Sequence, residues 1–157
     1  MNTRKGQGST EYLVILAVVL IVALVAIALL GFFPGLSTDA QKAQSDSYWQ
    51  GTAYPFRIVE HKASNGALTV VLQNADSKKL TLTSMTVGNG STNSSIEFLG
   101  GEKKAAFVIN NTGVCGNGST RYDIAGNAIS FTYDSASIAG QKQGGDAAVK
   151  DLIGTCG

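Results

Sequence analysis

Hydrophobic positions are distributed unevenly along this chain. From Tyr12 to Phe33, 22 residues pass without a charge, and Tyr12 is their single polar member. As a helix this run would span ~33 Å, close to the ~30 Å of a bilayer's hydrocarbon core. Its apolar residues (Leu13, Val14, Ile15, Leu16 and onward) leave no polar stripe. That pattern belongs to a helix embedded in lipid or packed among like helices, not to the core helix of a soluble domain. A removable secretory signal has an apolar stretch of about 7–15 residues ending at a small-residue cleavage site. This run is longer and ends Leu30-Gly31-Phe32-Phe33-Pro34.

Pro34-Gly35 is expected to kink the helix, since proline lacks a backbone donor and clashes with the turn before it. Thr38-Asp39-Ala40-Gln41 fits a capping box with Thr38 as N-cap. Leu36, Ala40, Ala43, Ser47 and Tyr48 then share one face of a second helical segment over about 38–50. Beyond residue 52 the period changes. Asn65-Gly66 predicts a two-residue hairpin between Pro55–Lys62 and Ala67–Gln73. Leu80 and Leu82 alternate and then give way to Met85 and Val87, which predicts a bulge near Thr83-Ser84. Further strands are expected at 95–99, 104–109, 120–125, 128–133 and 147–153. Short strands at this spacing predict an antiparallel β-sandwich. Leu72-Gln73-Asn74 with Leu80-Thr81-Leu82-Thr83-Ser84 is similar to immunoglobulin-like heads of archaeal surface proteins. The fold class is therefore α+β: a long N-terminal apolar helix kinked near Pro34, then an Ig-like β-sandwich.

Composition narrows the chemistry. Charged residues make up 15% of the chain, against roughly 25% in ordinary soluble domains. The 12 basic and 11 acidic side chains nearly cancel, so no overall field draws the chain to nucleic acid. One His and two Cys leave little for a metal cage. His61, between Glu60 and Lys62, is expected as an exposed strand histidine. No Gly-rich loop carries the P-loop lysine, and Asp134 and Asp146 flank a flexible stretch, 135–145, without calcium-loop spacing. Catalytic residues, metal and cofactor are all expected to be absent, and the protein is not expected to be an enzyme. Outside the cell, Cys115 and Cys156 read as a disulfide. Asn89, Asn93, Asn110 and Asn117 each open an N-x-S/T sequon, so all four are glycosylation candidates.

The residues before the apolar run carry a more specific signal. Arg4-Lys5-Gly6 precedes Gln7-Gly8-Ser9-Thr10-Glu11-Tyr12-Leu13, and this order resembles the class III signal peptide of archaeal type IV pilins. The resemblance implies cleavage by a prepilin peptidase between Gly6 and Gln7, ahead of a helix that is retained. It also implies an assembly role for Ser9, Glu11 and Tyr12, with Glu11 paired to the new α-ammonium of Gln7. The basic pair would hold the N-terminus in the cytoplasm, and its removal changes the formal balance from +1 to −1.

The expected domains are a cleaved leader, 1–6, a polymerisation helix, 7–50, and a β-sandwich head, 51–157. The expected function is that of a major subunit of an extracellular adhesion pilus, a helical homo-oligomer. Its precursor would sit in the cytoplasmic membrane and meet the peptidase and pilus assembly machinery. A minor pilin, an archaellin-like subunit, or a monomeric binding domain held by an uncut anchor are the competing readings.

Overall fold

The computed structural model describes residues 7–31, 34–116 and 118–157. The expected leader, 1–6, lies outside them, as do Phe32 and Phe33, which precede the kink expected at Pro34-Gly35. The chain divides after Asp39 into two compact units.

Helix α1 spans Gln7–Gly31 and α2 spans Pro34–Ser47. Thr38 is consequently inside α2 rather than its N-cap, which corrects the capping-box expectation. A π-helical turn, Tyr48–Thr52, closes the segment through the Ala53 N–H on the Tyr48 carbonyl (2.8 Å).

The second unit is built on antiparallel strands. Strands β1 (Phe56–Ser64), β2 (Ala67–Asn74) and β5 (Lys103–Ile109) form one sheet in the order β1-β2-β5. Strands β3 (Leu80–Val87), β4 (Gly90–Phe98), β7 (Ile129–Ser135) and β8 (Gln141–Gly144) form another, ordered β4-β3-β7-β8. With the fourth strand beside the third, this is the strand order of an immunoglobulin-like sandwich. Strands β6 (Arg121–Ile124) and β9 (Leu152–Thr155) pair separately.

Local chemistry fixes the register. Asn65 and Gly66 both take positive φ (49° and 78°), the demand of a type I′ hairpin turn, and Ser64 pairs with Ala67 across it. The expected bulge is at Thr83: pairing to both β4 and β7 shifts between Leu82 and Ser84. The extra residue switches the buried set from Leu80 and Leu82 to Met85 and Val87. The two sheets share one core, in which the Phe56 ring lies 5.3 Å from Phe98 and 5.9 Å from Phe131.

Three of the strand expectations also needed adjustment. Strand β4 begins at Gly90 rather than 95, because its polar residues Ser91, Asn93 and Ser95 face solvent on an edge strand. Strand β8 occupies part of the stretch read as flexible, since its backbone pairs with β7 although it buries no apolar side chain. The last strand is 152–155, not 147–153.

Trp49 belongs to this core. Its side chain is buried, and its ring meets Phe131 at 6.3 Å in an edge-on contact. Trp49→Ala should lower the stability of the second unit by ~3–5 kcal/mol, as read by chemical denaturation of the detergent-solubilised chain; a change below ~1 kcal/mol would show that this turn is peripheral.

Candidate functional site

The first candidate surface is α1 itself. Every large apolar side chain from Tyr12 to Leu29 is between 42% and 66% exposed, so the helix is sticky on all sides. Thr10–Leu29 is a 20-residue candidate membrane span. Gln7 opens the helix and Ser9 lies in its first turn. Glu11 follows Gln7 by four residues, so the two occupy the same face about 6 Å apart along the axis. A carboxylate there sits at the positive end of the helix dipole, and a chain beginning at Gln7 would bring its ammonium to the same end. The expected cleavage site at Gly6 lies outside the described residues.

In the second unit, α2 is fastened to the sandwich by a polar cluster. Ser45 is buried; its Oγ donates to the Asp151 carbonyl (2.8 Å) and accepts from the Ile153 N–H (3.0 Å). The next residue, Asp46, takes an ion pair from Lys42 one turn earlier (2.6 Å), and its other oxygen lies 3.3 Å from Nε2 of His61. The Tyr122 hydroxyl contacts Nδ1 of the same ring. These partners assign a neutral imidazole, with Nε2–H donating to the carboxylate and Nδ1 accepting from the phenol. Gly154 lets the phenol lie flat, because a Cβ there would strike the Tyr122 ring.

His61 therefore differs from its expectation: its side chain is 7% exposed. The reason is a second bulge. Pairing with β2 shifts between Ile58 and Glu60, so the inward parity changes from Phe56 and Ile58 to His61 and Ala63. Burial lowers the His61 pKa, with Lys42 adding to that effect and Asp46 opposing it. Asp46 is itself partly desolvated, yet the hydrogen bonds from Lys42 and His61 hold its pKa below the usual value. Burial, reinforced by Asp46, pushes the Tyr122 phenol up. With burial keeping the phenol protonated, its O–H donates to the neutral imidazole, and the chain Tyr122–His61–Asp46 links β6, β1 and α2.

The two cysteines are joined: Cys115 is bonded to Cys156, with Cα atoms 5.5 Å apart across 41 residues of sequence. The bond ties the C-terminus to the loop after β5. Of the sequons, Asn89 is exposed in the β3–β4 turn, Asn93 is exposed on β4, and Asn110 follows β5. Asn117 lies outside the described residues. Sequence reasoning missed Ser45, Asp46 and Tyr122, which carry no signal before the fold brings them together. Trp49, the chain's single tryptophan, was the available clue that the head begins within α2.

Residues 4–30 match the class III signal peptide family. This chain carries a class III signal peptide. That signal supports a type IV pilin-like or archaellin-like secreted filament subunit and implies processing by a prepilin peptidase. No curated protein and no solved structure matches the chain.

Two outcomes follow from the joint and the disulfide. The unfolded chain binds a proton at His61 near pH 6.5, whereas the folded chain resists doing so. Protons thus favour unfolding: stability is full above about pH 6.5 and declines below it, by at most ~1.4 kcal/mol per pH unit. Thermal melts should show this slope, and His61→Gln should flatten it; an unchanged slope would place the titration elsewhere. Cys156→Ser should cost about 4 kcal/mol on the loop-entropy account, measured by denaturant titration under non-reducing conditions.

Proposed function

We propose that this chain is the major structural subunit of an archaeal type IV pilus used for adhesion and surface attachment. The observation that carries the reading is the pairing of a class III signal with a helix exposed and apolar on all sides. Once the leader is cut ahead of that helix, the retained segment can anchor a monomer in the membrane. In a filament, many copies bury the same surface against one another, with ~25 cal/mol favouring each Å² withdrawn from water. The Ig-like unit then provides the outer, polar and glycosylated surface. Function is mechanical, requires no cofactor and involves no catalysis.

Glu11 supports the same reading. A carboxylate desolvated alone among helices would be strongly unfavourable, and the α-ammonium created at Gln7 is the matching charge on the same or a neighbouring copy.

N-terminal sequencing of the protein from its native cell should begin at Gln7; an intact Met1 on a dispersed membrane protein would favour a monomeric anchored domain. Glu11→Gln should cut the yield of sheared filaments by more than ~10-fold, since breaking a buried pair typically removes ~3–5 kcal/mol. Unchanged yield would sink the pairing.

A further inference from the structure

Three sequons lie among the described residues, and the fold makes them unequal. The β3–β4 turn packs against the loop that follows β5: a Cβ on Gly88 would come 2.7 Å from the Thr112 carbonyl oxygen, and one on Gly90 would strike the Asn110 carbonyl. Asn89 and Asn110 therefore share one corner, on the β4–β5 side of the sandwich, and Asn93 lies further along β4. The α2 contacts with His61 and Ile153 are on the β1 and β9 side.

An N-x-S/T site is read through both its amide and its hydroxyl, so each must reach an enzyme cleft together. At Asn110 the hydroxyl is sequestered. Thr112 is buried, and both its Oγ1 (2.9 Å) and its N–H (3.0 Å) donate to the Gly66 carbonyl. The sequon at Asn89 has its middle residue, Gly90, buried against Asn110. Asn93 is different. It and Ser95 are both exposed and alternate onto one face of β4, and no hydrogen bond engages either side chain among the described residues. Strand β4 is the outer strand of its sheet, which leaves the backbone of this sequon open along one edge.

We infer that Asn93 is the acceptor of an N-linked oligosaccharide on the folded head, and that the Asn110 sequon is closed to the same modification. This rests on the secreted, surface-exposed reading above. The donor is an oligosaccharide joined through its anomeric carbon to a lipid-borne phosphate, and the catalyst is a membrane-bound transferase. The Asn93 amide nitrogen forms a C–N bond to the anomeric carbon and the glycosidic C–O bond to phosphate breaks. The lipid phosphate departs with the bonding electron pair, and the amide gives up one proton to a base of the transferase. A glycan on β4 would also cover an unpaired sheet edge, where another chain could otherwise add a strand.

The test is intact mass and glycopeptide analysis of the full chain from its native cell, with variants at both sites. Asn93→Gln and Ser95→Ala should each lose the mass of one glycan, Ser95→Thr should retain it, and Asn110→Gln should change the mass only by the substitution. An Asn93→Gln chain with its glycan complement intact overturns the assignment, and so does loss of a glycan from Asn110→Gln. Masses are read whatever the N-terminus. A chain beginning at Met1 would therefore overturn the filament reading while its Asn93 peptide still decides the glycan.

Discussion

A helix with apolar side chains on every side is the constraint from which the rest of this chain follows. From Tyr12 to Leu29 no polar face exists to turn toward water. Exposed apolar patches beyond a few hundred Å² rarely persist on soluble monomers, so this surface must be covered by lipid or by other helices. Single-sided amphipathic helices dock on their own domain; this one offers no direction along which to do so. The class III signal at residues 4–30 fits that requirement: the proposed cleavage ahead of the helix would keep the apolar segment instead of discarding it.

The second unit meets the opposite demand: it must hold its fold while carrying such a helix. It does so with ordinary means concentrated where α2 enters. Trp49 fills the core, Ser45 satisfies two backbone groups of the 151–153 segment, and the Lys42–Asp46–His61–Tyr122 cluster spans α2, β1 and β6. Elsewhere, buried Asn74 donates to the Lys78 and Leu99 carbonyls (2.8 and 3.1 Å) and accepts from the Asp76 N–H (2.9 Å). One amide thus organises two loops at the end of the sandwich. With Cys156 bonded to Cys115, the last strand is held as well.

What could be read in the sequence was whatever depends on near neighbours. Asn65-Gly66 announces its turn because few residue pairs accept two positive φ values in succession. The Thr83 bulge shows as a break in alternation, and α1 shows as an absence of charge. His61 was misjudged because its burial depends on a bulge at Val59. That bulge leaves no mark in a stretch as polar as Glu60-His61-Lys62. Strand β8 was missed for a related reason: Gln141–Gly144 is placed by backbone pairing to β7, with no apolar side chain to signal it. The Asp46–His61–Tyr122 cluster joins residues far apart in sequence, and nothing local marks them as partners.

The energetics of the proposed assembly depend on which environment is left and which is entered. Lipid tails are about as apolar as leucine, so moving α1 from a bilayer into a bundle of like helices gains little from hydrophobic transfer. The large term is the one between water and bundle, and it opposes escape of a subunit once the filament stands outside the membrane. Selection among neighbours must then come from packing and from charge. In α1, Glu11 is the one charged side chain. A polar or ionic group inside an apolar seam is best attested as a device that fixes register and partner. Along an aliphatic surface that is much the same all round, packing alone specifies register weakly, and in the proposed assembly one buried charge would add what packing lacks.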